Sequence, residues 1–225
     1  MCEVRKLVTF GSVLKNEEIN ILIKQADLSL KAIGYTEHSF AHVGKCVNTT
    51  AYILSELGYD EEEIEIAKIA AYMHDIGNVV NRSDHAQSGA LMAFQILTKM
   101  GMDAKSVAKV VTAIGNHDEN TAYPVNAITA ALILADKTDV RRSRVRNIDL
   151  SRFDIHDRVN YAVVESRVEL NKENKTFSLI LKIDTSICAV MDYFEIFLVR
   201  MKLCRLASKF FDLTFKLFIN ESVLI

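Results

Sequence analysis

Apolar positions recur at spacings of three and four through the first 140 residues, the period of amphipathic helices. Six helices follow from this pattern, and each begins near a side chain that can cap its first turn. A glycine, a loop or a His-Asp pair ends each apolar stripe. The predicted starts are Asn16, Ser39, Asp60, Ser83 or Asp84, Asp103 and Asn126, with the last helix running through Asp136 to Asp139.

The pattern changes after about residue 150. Apolar and polar residues alternate over 167–171 and 176–183, on either side of a polar turn, which predicts a β-hairpin. Asp184 to Ser186 can then cap a long helix with apolar residues on more than one face, so we expect it to be covered on two sides. A last strand follows over 212–224. The prediction is a mostly α fold, with a helical domain of residues 1–150 and a small α+β subdomain of residues 151–225.

Composition excludes several classes of protein. Half of the 225 residues are hydrophobic, a quarter are charged, and the formal net charge is only −2. This balance favours neither a nucleic-acid partner nor a membrane partner. The four cysteines are scattered, and the amino-terminal segment lacks a signal-peptide pattern, so we expect a reduced, cytoplasmic protein. The apolar last strand leaves homo-oligomer formation open.

The candidate chemistry begins at an apolar run, 70–73, that ends abruptly in His74 and Asp75. An imidazole and a carboxylate do not belong beside a core unless something satisfies them, and a metal ion would satisfy both. The alternative is a helix end where both side chains face water. Other histidines and aspartates also lie near the ends of apolar segments: His42, His85, His117 and Asp136. The set as a whole indicates a metal centre.

The types of candidate ligand limit which metal ions could bind. Neutral imidazoles and carboxylates, without clustered cysteines, suit one or two divalent transition-metal ions such as Fe, Mn, Co, Ni or Zn. Hydrolysis is the simplest redox-neutral use, because two neighbouring ions can hold a phosphate and activate a water molecule. Asp75, next to a histidine ligand, is well placed to bridge them.

The order of these residues resembles the HD-domain metal-dependent phosphohydrolase superfamily, in the form with two extra histidines. The resemblance covers about residues 35–140. No Gly-Tyr-Pro follows the His-Asp pair, which disfavours the cyclic-dinucleotide branch, and the Glu-Asp pair of the stringent-response hydrolases is missing as well. The segments that carry the resemblance are His42-Val43-x-Lys45-Cys46, Met73-His74-Asp75-Ile76-Gly77 and Ala135-Asp136-Lys137.

The resemblance implies a role for each matching residue. The first metal would be held by His42, His74, Asp75 and Asp136. The second would be held by Asp75, His85 and His117, which would also be the catalytic residues. His38 is a rival first ligand, because Glu37-His38-Ser39 also looks like a variant of the opening motif. We prefer His42, since small and apolar residues follow it at the expected positions.

Charged residues near these positions are candidates for substrate binding. Arg141, Arg142 and Arg144 follow Asp136 closely and could hold a phosphate, although a solvated or salt-bridged junction would also explain them. Lys45 and Arg82 are further candidates. Asp118 and Glu119 could orient His117 or transfer a proton, or form an exposed acidic loop. We expect His156 to lie on the surface.

Together these observations predict metal-dependent hydrolysis of a phosphate mono- or diester of a small, nucleotide-like molecule by a metal-activated water. The substrate class rests on the resemblance alone. A diiron oxygenase on the same scaffold is one alternative. A signalling or adaptor module with a structural metal is the other.

Overall fold

The computed structural model describes residues 8–146 and 153–224, and it is mostly α-helical with a small carboxy-terminal sheet, as predicted. The helices are α1 Phe10–Leu14, α2 Glu17–Ala32, α3 Phe40–Glu56, α4 Glu61–Met73, α5 His85–Lys99, α6 Ala104–Gly115, α7 Ala127–Lys137, α8 Ile155–Ala162 and α9 Val190–Phe210. The strands are β1 Val163–Asn171, β2 Thr176–Ile183, β3 Thr214–Ile219 and β4 Ser222–Val223. Two short 3-10 helices lie at Ile76–Val79 and Arg142–Arg144.

Helix starts follow the predicted caps in five of six cases. The capping side chains that accept a backbone N–H in the first turn are Asn16, Ser39, Asp60, Asp103 and Asn126. Asp84 precedes α5 but does not cap it, because its φ of 57° is left-handed and its side chain makes no capping hydrogen bond. Helix α7 ends at Lys137 rather than at Asp139, where the N–H of Asp139 returns to the carbonyl oxygen of Asp136.

The two innermost helices of the bundle are α4 and α7. Every residue of α7 except Asp136 is buried, and α7 packs against α3, α4, α6 and α9. The last five residues of α4, Ile69 to Met73, are all buried. Helix α7 is buried nearly throughout and the last turns of α4 are buried as well, so the polar side chains at their carboxyl ends meet where the core stops.

The sheet has the order β1-β2-β3-β4. Strands β1 and β2 form the predicted antiparallel hairpin, whereas β3 runs parallel to β2, because α9 carries the chain back across the sheet. The prediction of a single last strand is wrong. Asn220 and Glu221 have φ values of 49° and 70°, so the chain turns there and β4 pairs antiparallel with β3.

Helix α9 packs on α7 and on β3, so the expected coverage on two sides is confirmed. Its predicted start is wrong. The carboxylate of Asp184 accepts hydrogen bonds from Ser186 in a local turn, and Ala189 occupies the N-cap position. Neither α9 nor any other described helix is long and apolar enough to cross a membrane. The division of the chain at residue 150 stays a prediction, because that boundary lies outside the described residues, as does Cys2.

Gly77 lies where the 3-10 helix Ile76–Val79 approaches α5 closely. A Cβ atom there would be 2.0 Å from the carbonyl oxygen of His85 and 2.5 Å from the backbone nitrogen of Gly89. The 3-10 helix after α4 therefore rests directly on the first turns of α5. This contact places the start of α5 beside the end of α4.

We expect Gly77→Ala to lower the free energy of unfolding by about 1–3 kcal/mol, because the added methyl group overlaps backbone atoms that cannot move aside. Gly44→Ala is the matched control. Gly44 lies inside α3 with no heavy atom within 4 Å of an added Cβ, so alanine there should stabilise the protein by about 0.5–1 kcal/mol. Urea unfolding of the metal-free proteins measures both effects, and equal stability of Gly77→Ala and the wild type would contradict the close approach.

Candidate metal centre

Six side chains predicted as ligands meet at one end of the bundle. His74 and Asp75 follow α4, His42 is in the first turn of α3, His85 begins α5, His117 follows α6, and Asp136 is in the last turn of α7. All but Asp136 are no more than 6% exposed, and the Asp136 side chain is 13% exposed. Five segments distant in sequence thus bring imidazoles and carboxylates to one buried place.

Four of these side chains surround one point. His42 Nε2 lies 3.4 Å from Asp136 Oδ1 and 3.7 Å from Asp75 Oδ2. His74 Nε2 lies 3.3 Å from Asp75 Oδ2 and 4.0 Å from Asp136 Oδ1. Two imidazole nitrogens and two carboxylate oxygens therefore face each other at the spacing of ligands around a cation.

The other carboxylate oxygen of Asp75 faces a second group. Asp75 Oδ1 lies 3.5 Å from His85 Nε2 and 4.0 Å from His117 Nε2. The side-chain amide of Asn78 donates a hydrogen bond of 2.9 Å to the same oxygen. Asp75 thus stands between two histidine pairs, with one oxygen directed to each, which is the arrangement of a bridging carboxylate.

Hydrogen bonds at the outer nitrogens hold the four imidazole rings. Each Nδ1 donates to an oxygen that can only accept, so the Nε2 atom of a neutral ring carries the lone pair and faces the centre. The acceptors are Asp139 Oδ2 for His42 at 2.8 Å, Ala71 O for His74 at 2.7 Å, Arg82 O for His85 at 3.0 Å and Ile114 O for His117 at 2.6 Å.

Three buried atoms at this point lack a hydrogen-bond partner among the described residues: His74 Nε2, Asp75 Oδ2 and His117 Nε2. A buried polar atom without a partner costs about 1–3 kcal/mol. One or two divalent cations at this point would accept lone pairs from these atoms, and nitrogen and oxygen donors of this kind suit a borderline transition metal. The residues therefore fit the metal that the sequence predicts.

The charge states of His117 and Asp136 favour metal binding, whereas that of His74 opposes it. Burial, with the positive potential of His74, lowers the pKa of His117 to about 3, so its ring is neutral. Burial alone would raise the pKa of Asp136, but Lys137 and His42 hold it well below its ordinary value. Burial also acts to lower the pKa of His74, yet the Asp75 carboxylate raises it above the ordinary value. A proton at His74 would therefore compete with the metal, and binding would release it.

A cavity of about 290 Å³ opens beside the centre. Asp75, His85 and Asp136 form part of its wall. Helices α8 and α9 form another part, through Asp154, His156, Asp157, Asn160, Phe197 and Arg200. His156 is exposed, as expected, but it borders this cavity.

The model of the HD domain matches residues 39–158, slightly more than half of the chain. The chain belongs to the HD-domain family. It is 27% identical over 186 residues to the uncharacterized protein MJ1020 of Methanocaldococcus jannaschii, covering 72% of this chain and 71% of that protein. The crystal structure of a predicted HD superfamily hydrolase from an uncultured Thermotogales bacterium is 26% identical, with a TM-score of 0.45 over 60% of this chain and 75% of that one.

The family resemblance read from the sequence is thereby confirmed. HD-domain membership, together with the buried His and Asp cluster, supports a metal-dependent hydrolase in general terms. The individual roles of the residues remain proposals.

The geometry of the HD domain favours His42 over His38 as a ligand. His38 lines the cavity, and its Nδ1 donates to the carbonyl oxygen of Thr36 at 2.7 Å. Burial and the charge of Arg144 hold the pKa of His38 well below its ordinary value. Of these two histidines, only His42 has its Nε2 atom within 4 Å of both central carboxylates.

The arginines after α7 bind protein groups. Arg141 donates to the Asp139 carboxylate at 2.6 and 3.1 Å, and Arg142 donates to the carbonyl oxygen of Tyr161 and lies over its ring. Neither of these two lines the cavity, so the structure does not support the prediction that they hang over the site. Arg144 does line it, but this buried side chain donates to two backbone carbonyl oxygens at 2.9 Å. Arg141 and Arg144 thus form a salt-bridged junction with Asp139, as in the alternative reading, and Arg142 is held by Tyr161.

The remaining predicted residues divide between site and surface. Lys45 is exposed on α3 and does not line the cavity, so the structure does not support its predicted contact with substrate. Arg82 lines the cavity, with Nη1 3.4 Å from His85 Nε2. The Asp118 carboxylate lies 3.9 Å from His85 Nε2, and Glu119 binds Arg200. Both acidic residues are at least partly buried, so the reading as an exposed loop is wrong.

Sequence reasoning missed four residues at the centre. Asp139 holds the His42 ring, and its position one turn after Asp136 was the available signal. Lys137 is buried, with Nζ 2.6 Å from Asp136 Oδ2, but it was noted only as part of a motif. Cys46 Sγ lies 3.7 Å from His42 Nε2, one turn along α3. Arg200 comes from α9, and no local pattern pointed to it.

We expect Asp75→Ala to remove more metal than any other single ligand substitution, because its carboxylate faces both histidine pairs. His85→Ala should spare one ion, since the set around His42 and His74 stays intact. Metal content per chain, measured by inductively coupled plasma mass spectrometry, tests both, with the exposed Glu17→Ala as control. Unchanged metal content in both variants would rule out a two-ion centre.

His38→Ala and His42→Ala form a matched pair: His42 is in the first turn of α3, and His38 directly precedes the N-cap Ser39. Loss of His42 should weaken metal affinity at least about tenfold, since even the loss of a ligand's outer partner costs about 10–100-fold. Loss of His38 should leave metal affinity unchanged. Competition with a chelating indicator measures both affinities, and the reverse pattern would make His38 the ligand.

Proposed function

We propose that this HD-domain protein hydrolyses a phosphate mono- or diester of a small, nucleotide-like molecule, using one or two divalent transition-metal ions. The observation that carries the proposal is the position of Asp75, with one carboxylate oxygen toward each histidine pair. In this proposal the first ion is held by His42, His74, Asp75 and Asp136, and the second by Asp75, His85 and His117.

The chain's own residues prepare the reaction in two ways. Asp139 and three backbone carbonyl oxygens hold the imidazole rings, so the ligand atoms are in place before any ion arrives. Burial around Asp75 excludes most water from the ligand side, while the cavity leaves one side open to substrate. When bound, the ions supply an activated water and stabilise the departing oxygen.

The cavity supports an anionic substrate of modest size. Its volume of about 290 Å³ fits one small molecule rather than a folded polymer. Cationic side chains also line it, and two of them, Arg82 and Lys137, lie next to ligand residues. A phosphate that approached the metal ligands would therefore meet positive charge on the protein as well as on the ions. The prediction that the rest of the substrate is nucleotide-like comes from the family resemblance.

The test is hydrolysis by protein stripped of metal and reloaded separately with Mn, Fe, Co, Ni or Zn. We expect release of phosphate or alcohol from at least one nucleotide or aryl phosphate ester, abolished by chelation and reduced at least about a thousandfold in Asp75→Ala, since a central catalytic group is worth several kcal/mol. Glu17→Ala should keep full activity.

Two outcomes would overturn the proposal. Oxygen consumption by the iron-loaded protein, without hydrolysis of any ester, would identify an oxygenase. Tightly bound metal with neither activity would identify a structural metal in a binding module.

A further inference from the structure

Helix α9 lies beyond the residues that match the HD domain, yet it contributes Arg200 to the cavity at the metal centre. Arg200 follows the buried Phe197 by one turn, and its guanidinium carbon lies 4.7 Å from the centre of the Phe197 ring. Its Nε donates to the carboxylate of Glu119, two residues after His117. Stacking and ion pair together hold the guanidinium plane beside the candidate ligands.

A second cavity of about 480 Å³ adjoins the first. Tyr35, Arg82 and Arg200 line both cavities, so they form the boundary between them. Arg82 also lies against an aromatic ring, with its guanidinium carbon 5.4 Å from the centre of Tyr35. Two guanidinium groups, each resting on an aromatic side chain, therefore stand where the metal cavity opens into the second one.

Both guanidinium groups keep N–H donors for a ligand. Arg82 has no carboxylate within 4.0 Å among the described residues, and its only hydrogen-bond contacts with other side chains are to Asn78 and His85. The ion pair of Arg200 uses Nε, and in the described part of the chain its two terminal nitrogens have no acceptor. Glu119 also lies 4.0 Å from Lys137 Nζ, so one carboxylate is shared between two cations. The positive charge at the boundary comes from the two guanidinium groups, while Asp84, Asp118 and Glu119 also line the second cavity.

We propose that Arg200, together with Arg82, binds a second, non-reacting phosphate of the substrate. The inference rests on the proposed function, because it assumes that the reacting phosphate lies at the metal ligands. A planar guanidinium matches the oxygens of a phosphate through two parallel N–H donors, which an ammonium group cannot reproduce. The substrate class is then an ester with two phosphate groups, such as a nucleoside diphosphate, that extends from the metal cavity past the two arginines.

Binding of inorganic phosphate and inorganic pyrophosphate to the metal-loaded protein tests this without turnover. By calorimetry, the wild type should bind pyrophosphate at least tenfold more tightly than phosphate, because only pyrophosphate reaches both the ligands and the arginines. Arg200→Ala should lose at least tenfold in pyrophosphate affinity and little in phosphate affinity. Arg200→Lys, which keeps the charge without the paired donors, should lie between. Arg205→Ala, an exposed arginine on the same helix, is the matched control and should bind both anions as the wild type does.

Kinetics add a second readout for any ester that is hydrolysed. Loss of a contact to a non-reacting phosphate weakens ground state and transition state alike, so Arg200→Ala should raise KM for a nucleoside diphosphate with little change in kcat. The KM for a monophosphate should stay nearly the same.

Several results would overturn the inference. One is a wild type that does not prefer pyrophosphate, and another is a preference that survives in Arg200→Ala. A lower Tm with unchanged anion affinities would show that Arg200 only ties α9 to Glu119. If Arg200→Ala does not fold, an undiminished preference in Arg200→Lys has the same meaning. Failure of the wild type to hydrolyse any ester would instead count against the proposed function, and the anion affinities would still decide the role of Arg200.

Discussion

The structure depends on one buried carboxylate. Asp75 directs one oxygen to His42 and His74 and the other to His85 and His117. The inner atoms of the neutral rings and of the carboxylate are all acceptors, so they repel each other unless a cation or proton lies between them. Rigid helix ends hold them together, and this preorganisation toward a positive charge is what the bundle provides.

The bundle achieves this by ending its most buried helices at the same place. The last turns of α4 and nearly the whole of α7 are buried, so the polar groups at their carboxyl ends lie at the edge of the core. A second layer then fixes one of the candidate ligands: Asp139 holds His42, and Arg141 and Arg144 hold Asp139. Arginines that could have bound substrate thus stabilise a buried acid, since a buried carboxylate without a cationic partner would be costly.

The carboxy-terminal helices complete the cavity of the HD domain. Helix α8 contributes polar side chains to its wall, and α9 contributes Phe197 and Arg200. The candidate metal ligands all come from α3 to α7 and the turns that follow them. The part of the cavity wall that α9 contributes lies outside the residues that match the HD domain. A shared fold can therefore carry a different specificity through such additions.

The sequence by itself determined the helix starts and the candidate ligands. A cap such as Asn16 acts on a backbone N–H three residues away, and ligands such as His74 and Asp75 end an apolar run, so both signals are local. Only the tertiary structure decided that Arg141 binds Asp139, that Arg200 reaches Glu119, and that β3 pairs parallel with β2. Ion pairs and strand partners depend on which distant segments packing brings together, and Arg200 lies 81 positions from Glu119 in the chain. No periodicity or capping signal spans such a distance, because both arise from contacts within a few residues.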